Sequence, residues 1–253
     1  MQRSNTYIIL FSVALTVVLG GLLSLASVGL KPAQQKQVEL DTKKKILGAV
    51  MDISSITDPN ELLTLYEQKV ESVVVDINGN LVETDKKGNP TVAEKVNIQK
   101  NYRFPKEERL YPVFKFKEDP NSDKVDAYIF PMFGAGLWDW ISGYLALESD
   151  LNTVKGIAFD HKQETPGLGA RITTPTVQGR FVGKKIYEGD KLVSVSMVKG
   201  EGNAGLTEHQ VDGMSGATLT GKGVNAMLAT YLNCYQPYIK KVKSGDDKVA
   251  LNQ

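Results

Sequence analysis

An uncharged stretch near the start of the chain constrains the fold more than any other feature. Residues 7–30 contain no Asp, Glu, Lys or Arg over 24 positions. At about 1.5 Å rise per residue, a helix of this length reaches roughly 36 Å, enough to cross a hydrocarbon core of about 30 Å with some tilt. A cleaved signal peptide is the alternative, because Ser24-Leu25-Ala26 is similar to a cleavage site. Since the run is longer than a usual signal core and continues to Leu30, the sequence predicts a single uncleaved membrane anchor.

The charges beside this anchor leave its orientation open. Arg3 precedes it, and five lysines lie between residues 31 and 45. Counted literally, the positive-inside rule keeps the following domain in the cytoplasm, but a long domain after a first helix can be exported despite such charges. The only cysteine, Cys234, tolerates either compartment because it has no partner for a disulfide.

Composition narrows the function classes. The chain has 30 Lys+Arg against 29 Asp+Glu, a balance that argues against a nucleic-acid partner. One cysteine excludes an intrachain disulfide framework, a Cys-ligated iron–sulfur cluster and a four-cysteine zinc site. His161 and His209 are the only histidines, and no C-x-x-C-H motif for haem attachment is present. Any redox chemistry would therefore need an organic cofactor.

The chain after the anchor has the pattern of an α+β protein. A short polar linker is expected at residues 31–37, and helices are expected at 41–51 and 60–66. Two apolar runs around the Asn78-Gly79 pair, within residues 71–84, predict a hairpin. Further strand candidates are residues 110–117, 124–130, 143–147, 151–159 and 191–198. Strands joined by short turns, with helices toward the ends of the chain, predict a largely antiparallel sheet.

The segment Asp212–Thr220, DGMSGATLT, is the first of three that suggest chemistry. Apolar residues recur at helical spacing from Ala217 onward, so a helix is expected to begin near Gly216. Ser215 is the predicted N-cap, and Thr218 falls in the first turn. Unpaired N–H groups and a partial positive charge favour a phosphate there, and the small Gly216 and Ala217 allow a close approach. An ordinary capped helix is the alternative.

The second segment, residues 161–170, follows a predicted strand. Gly167, after a proline, and Gly169 form a tight loop whose backbone can lie against a flat ligand. The loop also carries an acceptor, a donor and an apolar side chain, which are Glu164, Thr165 and Leu168. A plain β-turn is the alternative, and His161 fits a structural role as well as a chemical one.

The third segment, residues 133–140, is a Gly-rich turn that leads into two tryptophans. Leu137 and Trp138 follow the turn, and Trp138 or Trp140 can stack on an aromatic ligand or fill the core. The segment lacks the third glycine and the βαβ context of a dinucleotide fingerprint.

Together, D-G-x-S-G-A-T-x-T, E-T-P-G-L-G and G-x-G-L-W behind one N-terminal anchor resemble the covalent-FMN domain family. Within that family the chain is similar to the C subunits of the Na+-translocating NADH:quinone reductase over essentially its whole length. The resemblance implies FMN joined by its phosphate to Thr218. It implies that residues 164–169 and Leu137-Trp138 lie against the flavin. Asp212 is then a motif element that helps a flavin transferase engage the loop or its metal.

The resemblance also implies a function and a location. The chain would be an electron-relay subunit of the sodium-pumping complex, not catalytic alone, and would work with the A, B, D, E and F subunits. It would pass single electrons from an iron–sulfur centre to the FMN of the B subunit. Its soluble domain would lie in the periplasm, anchored in the bacterial inner membrane. The implied division has five parts. They are a cytoplasmic N-terminus (residues 1–6), a transmembrane helix (7–30), a membrane-proximal α+β region (31–130), an FMN-binding domain (131–239) and a polar tail (240–253).

Two other functions fit parts of this pattern. The G subunit of an Rnf-type ferredoxin:NAD oxidoreductase shares the motif and the anchor. The chain length, the Lys31-Pro32 exit from the anchor and the region up to Asn101 favour the quinone reductase. An anchored periplasmic adaptor without a cofactor is the alternative from a different class.

Overall fold

The computed structural model describes residues 4–85 and 88–245. Arg3 and the last part of the expected polar tail, residues 246–253, lie outside the described residues. The chain forms two compact units, Met1–Thr42 and Lys43–Gln253.

Helix α1, Asn5–Gly48, contains the expected anchor. In the described part of the chain it is the one helix that is long and apolar enough to cross a membrane, by length and composition. The predicted linker at residues 31–37 is wrong, because α1 continues through Pro32. The residues after this proline, Ala33-Gln34-Gln35-Lys36, are good helix formers, which favours continuation of the helix past it.

A five-stranded antiparallel meander organises the second unit and confirms the predicted α+β fold. Its strands pair in chain order: β1 Val70–Val75, β2 Tyr111–Phe116, β3 Ala127–Ala135, β4 Trp140–Glu148 and β5 Val154–His161. The end of α1 is held on β5, where Lys45 Nζ lies 2.6 Å from Asp160 Oδ2. The boundary expected between the membrane-proximal region and the FMN-binding domain, at residues 130 and 131, falls inside β3. The two expected regions therefore share one sheet.

Short helices fill the connections of this unit. Helix α2, Pro59–Lys69, begins where the side chain of Asp58 accepts a hydrogen bond from Asn60 N. Helix α3 is Ile98–Asn101, and α4 is Pro175–Gly179. Short 3-10 turns lie at Ala93–Lys95, Lys106–Glu108 and Gly169–Thr173.

The predicted hairpin is present as a short one, in which Asp76 N donates to Asn80 O at 2.9 Å and Val82 N donates to Val74 O at 2.8 Å. Gly79 N donates to Asp76 O at 3.0 Å, and the second run pairs with β1 only through the isolated bridge from Val75 to Leu81. The longer ladder of β1 is formed with β2 on its other edge, since Val75 pairs with both Leu81 and Tyr111. The turn contacts the backbone of the last helix, because a Cβ on Gly79 would lie 2.5 Å from Tyr238 N.

The predicted single strand at residues 191–198 is divided in two. Strand β7, Lys191–Leu192, pairs with β6, Tyr187–Glu188. Strand β8, Ser196–Met197, pairs in parallel with β9, Gln210–Val211. The strand is interrupted at Ser194, which has a φ of 66°. Its N–H and that of Val193 both donate to Ile186 O, so the alternating pattern is broken by a bulge.

Helix α5, Thr218–Ser244, packs on the sheet and completes the core. The residues expected on its buried face are all 4 % exposed or less: Ala217, Val224, Leu228, Tyr231, Cys234 and Tyr235. The Tyr235 hydroxyl lies 3.0 Å from the carbonyl oxygens of Pro112 in β2 and Pro131 in β3. The expected frayed tail is wrong for residues 240–244, which are helical.

Close contact with β3 positions the first turns of α5. A Cβ on Gly223 would lie 2.4 Å from Ala135 O, and one on Gly134 would lie 2.9 Å from Met227 Cβ. Glycine at both positions lets the helix approach the end of β3 at backbone distance. Residues 136–138 are therefore close to the start of α5.

Candidate functional site

The start of α5 differs from the sequence-based expectation. Thr218 is the first helical residue, and Ala217 is the N-cap, without a side-chain cap hydrogen bond. The prediction that Ser215 is the N-cap is therefore wrong. Ser215 belongs to a preceding turn in which Ala217 N donates to Met214 O at 3.2 Å and Gly216 has a φ of 73°. This turn places Ser215 too early in the chain to bond the first N–H groups of the helix.

Three hydroxyl groups lie in this segment, and they have different surroundings. Ser215 is exposed and outside the helix, whereas Thr218 is half-buried at its first position. Within residues 4–85 and 88–245, the Thr218 hydroxyl has no hydrogen-bond partner. Thr220 is only 1 % exposed and donates to a carboxylate. Since the first N–H groups of a helix have no partner in the helix, the Thr218 hydroxyl lies beside donors that can hold an anion.

The carboxylate that accepts from Thr220 belongs to Glu164, which is 4 % exposed. Glu164 Oε1 accepts from Leu137 N at 2.7 Å and from Trp138 N at 3.1 Å, and Oε2 accepts from Thr220 Oγ1 at 2.6 Å. One buried side chain thus joins all three segments that the sequence singled out. Both of its oxygens are already bonded within the chain.

Four large apolar side chains are exposed around these contacts. They are 41–67 % exposed, and together they are called the apolar wall: Leu137, Trp138, Leu168 and Leu219. Trp138 Nε1 donates to Thr165 Oγ1 at 3.2 Å. Leu168 lies on the motif segment, residues 212–220, because a Cβ on Gly216 would be 2.8 Å from Leu168 Cδ2. Beside the wall, residues 133–140 and Tyr102 line an open pocket of about 340 Å³.

Asp212 supports a neighbouring loop. Its carboxylate accepts from Gly202 N at 2.7 Å and from Asn203 N and Nδ2 at 3.1 and 2.8 Å. These bonds, that from Gly202 above all, lower the pKa of Asp212 to about 2. Asp212 therefore holds residues 202–203 against the start of the motif segment.

The same loop places Glu201 beside the motif segment. Arg171 donates to both oxygens of Glu201, at 2.6 and 3.0 Å, and Arg180 donates to Oε1 at 2.6 Å. The Ser215 N–H also points to this carboxylate, at 3.4 Å. The hydrogen bonds from Arg171 and then Arg180 lower the pKa of Glu201 to about 2. The turn before Thr218 is thus bordered by a charged cluster.

Sequence reasoning missed several of these contacts. Thr220 is the last residue of the D-G-x-S-G-A-T-x-T motif, which was the only signal for its role. Gly136 is part of the predicted Gly-rich turn, but its approach to Glu164 was not expected: a Cβ on Gly136 would lie 2.3 Å from Glu164 Oε1. The charged cluster had no local signal, because Arg171, Arg180 and Glu201 come from separate stretches of the chain.

Comparison with known proteins identifies the family. Residues 136–233 match the FMN-binding domain. The chain is 32 % identical over 249 residues to the C subunit of the Na+-translocating NADH-quinone reductase of Pasteurella multocida, covering 94 % of this chain and 93 % of that protein. It is 34 % identical over 255 residues to the same subunit of Neisseria meningitidis serogroup B, covering 95 % of each. The chain belongs to the C-subunit family of this reductase.

Solved structures of the C-subunit family agree with the fold. The protein of Parabacteroides distasonis has a TM-score of 0.69 at 35 % identity, covering 83 % of this chain and 96 % of that one. NqrC of Shewanella oneidensis has a TM-score of 0.68 at 25 % identity, covering 82 % and 99 %. The resemblance to the C-subunit family is therefore confirmed, together with an FMN-binding domain behind a long apolar helix. As a member of this family, the chain is a flavoprotein subunit of an oxidoreductase.

Proposed function

We propose that this chain is an electron relay that carries FMN covalently on Thr218 through a phosphoester. The observation that supports this most directly is the half-buried Thr218 hydroxyl, which has no partner in the described residues and stands at the first position of a 27-residue helix. The chemistry of the site suits the group. The first N–H groups of α5 would hold the phosphate, and the apolar wall would surround the ring system. Bound FMN supplies one-electron transfer.

Different residues of the chain would surround the phosphate and the ring system of this group. Gly216 has no side chain and Ala217 has only a methyl group, so neither places a bulky group beside the phosphate. Leu168 and Trp138 limit the access of water to the ring. A covalent link keeps the cofactor in place whatever its local affinity, which matters outside the cytoplasm, where lost flavin is not replaced.

In the complex, the relay would connect two redox centres. Electrons would arrive from an iron–sulfur centre in the membrane subunits and leave to the FMN of the B subunit. The partners would be the A, B, D, E and F subunits of the reductase, with a flavin transferase acting during maturation. The Rnf-type G subunit and the cofactor-free adaptor are not favoured, because the chain matches relatives from the C-subunit family along its length and contains an FMN-binding domain.

We also infer that α1 anchors the domain in the inner membrane with the domain in the periplasm. An alkaline phosphatase fusion after Lys31 should be active, since this enzyme needs an oxidising compartment. Activity only from a cytoplasmic reporter at the same position would reverse the orientation.

Co-expression with a flavin transferase tests the central proposal. The purified full-length chain should be yellow, fluoresce in a denaturing gel and be heavier by one FMN residue in intact mass. A colourless chain of unmodified mass from the same cells, beside a modified C subunit from a relative, would support the adaptor.

A further inference from the structure

The carboxylate of Glu164 is a buried acidic group at the site, in a residue that is 4 % exposed. The structure assigns Glu164 as a positioning residue: it locks the Leu137-Trp138 part of the apolar wall to the helix that begins at Thr218, with Thr220 as the link. The inference deepens the proposed function, since it rests on a flavin at Thr218 for its functional meaning. The contacts themselves belong to the protein alone.

Among the described residues, the polar contacts of this carboxylate all come from donors on other segments. Two donors are the consecutive N–H groups of Leu137 and Trp138, at 2.7 and 3.1 Å, and the third is the Thr220 hydroxyl, at 2.6 Å. Backbone donors at 137 and 138 orient the chain from which both wall side chains extend. Thr220 is two residues after Thr218 in the first turn of α5. The wall and the attachment point are therefore connected through a single side chain.

Two glycines enclose the carboxylate. A Cβ on Gly136 would lie 2.3 Å from Glu164 Oε1. A Cβ on Gly169 would lie 2.3 Å from Oε2 and 2.5 Å from Thr220 Oγ1. No side chain can occupy these two positions without displacing the carboxylate. The backbone therefore surrounds Glu164 on both sides, and the group has no room to turn toward a ligand.

This enclosure separates Glu164 from its neighbour in the same loop. Thr165 is exposed and bonds the Trp138 indole, so it belongs to the surface of the site. Glu164 lies under that surface. Its role is to fix the backbone below the wall, and it acts on a bound group through Leu137 and Trp138.

A conservative pair of substitutions at Thr220 tests the link. In the full-length chain produced without a flavin transferase, Thr220→Val removes the donor while keeping the shape. Amide hydrogen exchange of the peptide covering residues 134–140 should accelerate by about tenfold, because Glu164 Oε2 is left buried without a donor. Thr220→Ser restores the hydroxyl and should stay within about twofold of the parent. Thr64→Val is the matched control, since Thr64 is exposed on α2 and its hydroxyl donates to Asn60 O of the same helix.

Exchange in β2, residues 111–116, distinguishes positioning from general stability. Unchanged exchange in β2 with faster exchange at 134–140 supports the proposal. Equal acceleration in both segments, or none at 134–140, overturns it.

A second arm uses the chain after flavin attachment. Thr220→Val should leave the mass of one FMN residue in place and increase quenching of the flavin by iodide about twofold, because the wall is no longer held. Unaltered quenching with faster exchange at 134–140 overturns the functional part of the inference. If the parent chain carries no FMN on Thr218, the proposed function fails, while the exchange experiment still decides whether Glu164 holds the wall.

Discussion

The Thr220 hydroxyl lies 2.6 Å from Glu164 Oε2, although 56 residues separate the two in the chain. This hydrogen bond connects the first turn of α5 with the loop that follows β5. Because Glu164 also accepts from the backbone at 137 and 138, three segments that are far apart in sequence become one surface. Thr218, the first residue of α5, lies two residues before Thr220 in this surface.

Replacing Thr218 should remove the cofactor without unfolding the domain. Thr218→Val and Thr218→Ala lack the oxygen that a phosphoester requires, and the side chain is only half-buried, so we expect a stability change within about 1 kcal/mol. Thr218→Ser keeps the hydroxyl and should be modified in part. Intact mass and in-gel fluorescence under ultraviolet light measure attachment. A Thr218→Ala chain that still carries one FMN residue would falsify the assignment and redirect the search to Ser215, the more exposed of the remaining hydroxyls.

The apolar wall should set the environment of the flavin and not its attachment. Leu168→Ala and Trp138→Ala should both retain FMN, because neither side chain bonds Thr218. Each should change the visible spectrum or the midpoint potential of the flavin, since exposure to water alters the polarity around the ring. Val182→Ala is a suitable control, as Val182 is 56 % exposed outside the wall. Two wall variants with the spectrum and potential of the parent would remove these residues from the site.

Asp212 should affect maturation more than folding. Asp212→Asn loses charge at a carboxylate that accepts three hydrogen bonds from Gly202 and Asn203. The loop over residues 199–205 contains three glycines with positive φ and should become a site of proteolysis when it is released. We expect the attached fraction to fall severalfold while the melting temperature stays within about 4 °C of the parent. Full attachment in Asp212→Asn, with the loop cleaved faster, would show that the loop is not needed by the transferase.

The charged cluster gives a defined acid dependence. Hydrogen bonds from Arg171 and Arg180 lower the pKa of Glu201 from 4.5 to about 2 in the folded chain. Because the pKa is lower in the folded chain than in the unfolded one, Glu201 stabilises the fold. This stabilisation is complete above pH 4.5 and disappears as the pH falls toward 2. The pKa of Asp212 is also lowered, from 3.8 to about 2, so its stabilising contribution is likewise lost as the pH falls through this range.

Comparison of the parent with Glu201→Gln over pH measures this effect. The difference in amide exchange of residues 199–205 should be constant at neutral pH and shrink through the window between 4.5 and 2. The carboxylate is exposed, so the effect on overall stability should be small and should weaken with salt. A difference that grows as the pH falls would contradict the assigned ion pairs.

Local patterns in the sequence predicted most elements, since each depends on residues near in the chain. The apolar run of α1, the strands that became β2 and β5, and the buried face of α5 were all read from spacing alone. Predictions were wrong where a tertiary contact competes with a local preference. The alternating residues 191–198 are split at Ser194, because Val193 N and Ser194 N both donate to Ile186 O.

The sequence by itself determined which groups the chain contains: an apolar run near its N-terminus, one cysteine, and a motif with three hydroxyls at the start of a helix. The tertiary structure decided how those hydroxyls differ. Thr220 is buried against Glu164, and Ser215 is left outside the helix by the turn at Gly216. Thr218 stands between them at the first helical position. The physical reason is that a hydroxyl's availability depends on which acceptors the rest of the chain brings to it, and Glu164 comes from another part of the fold.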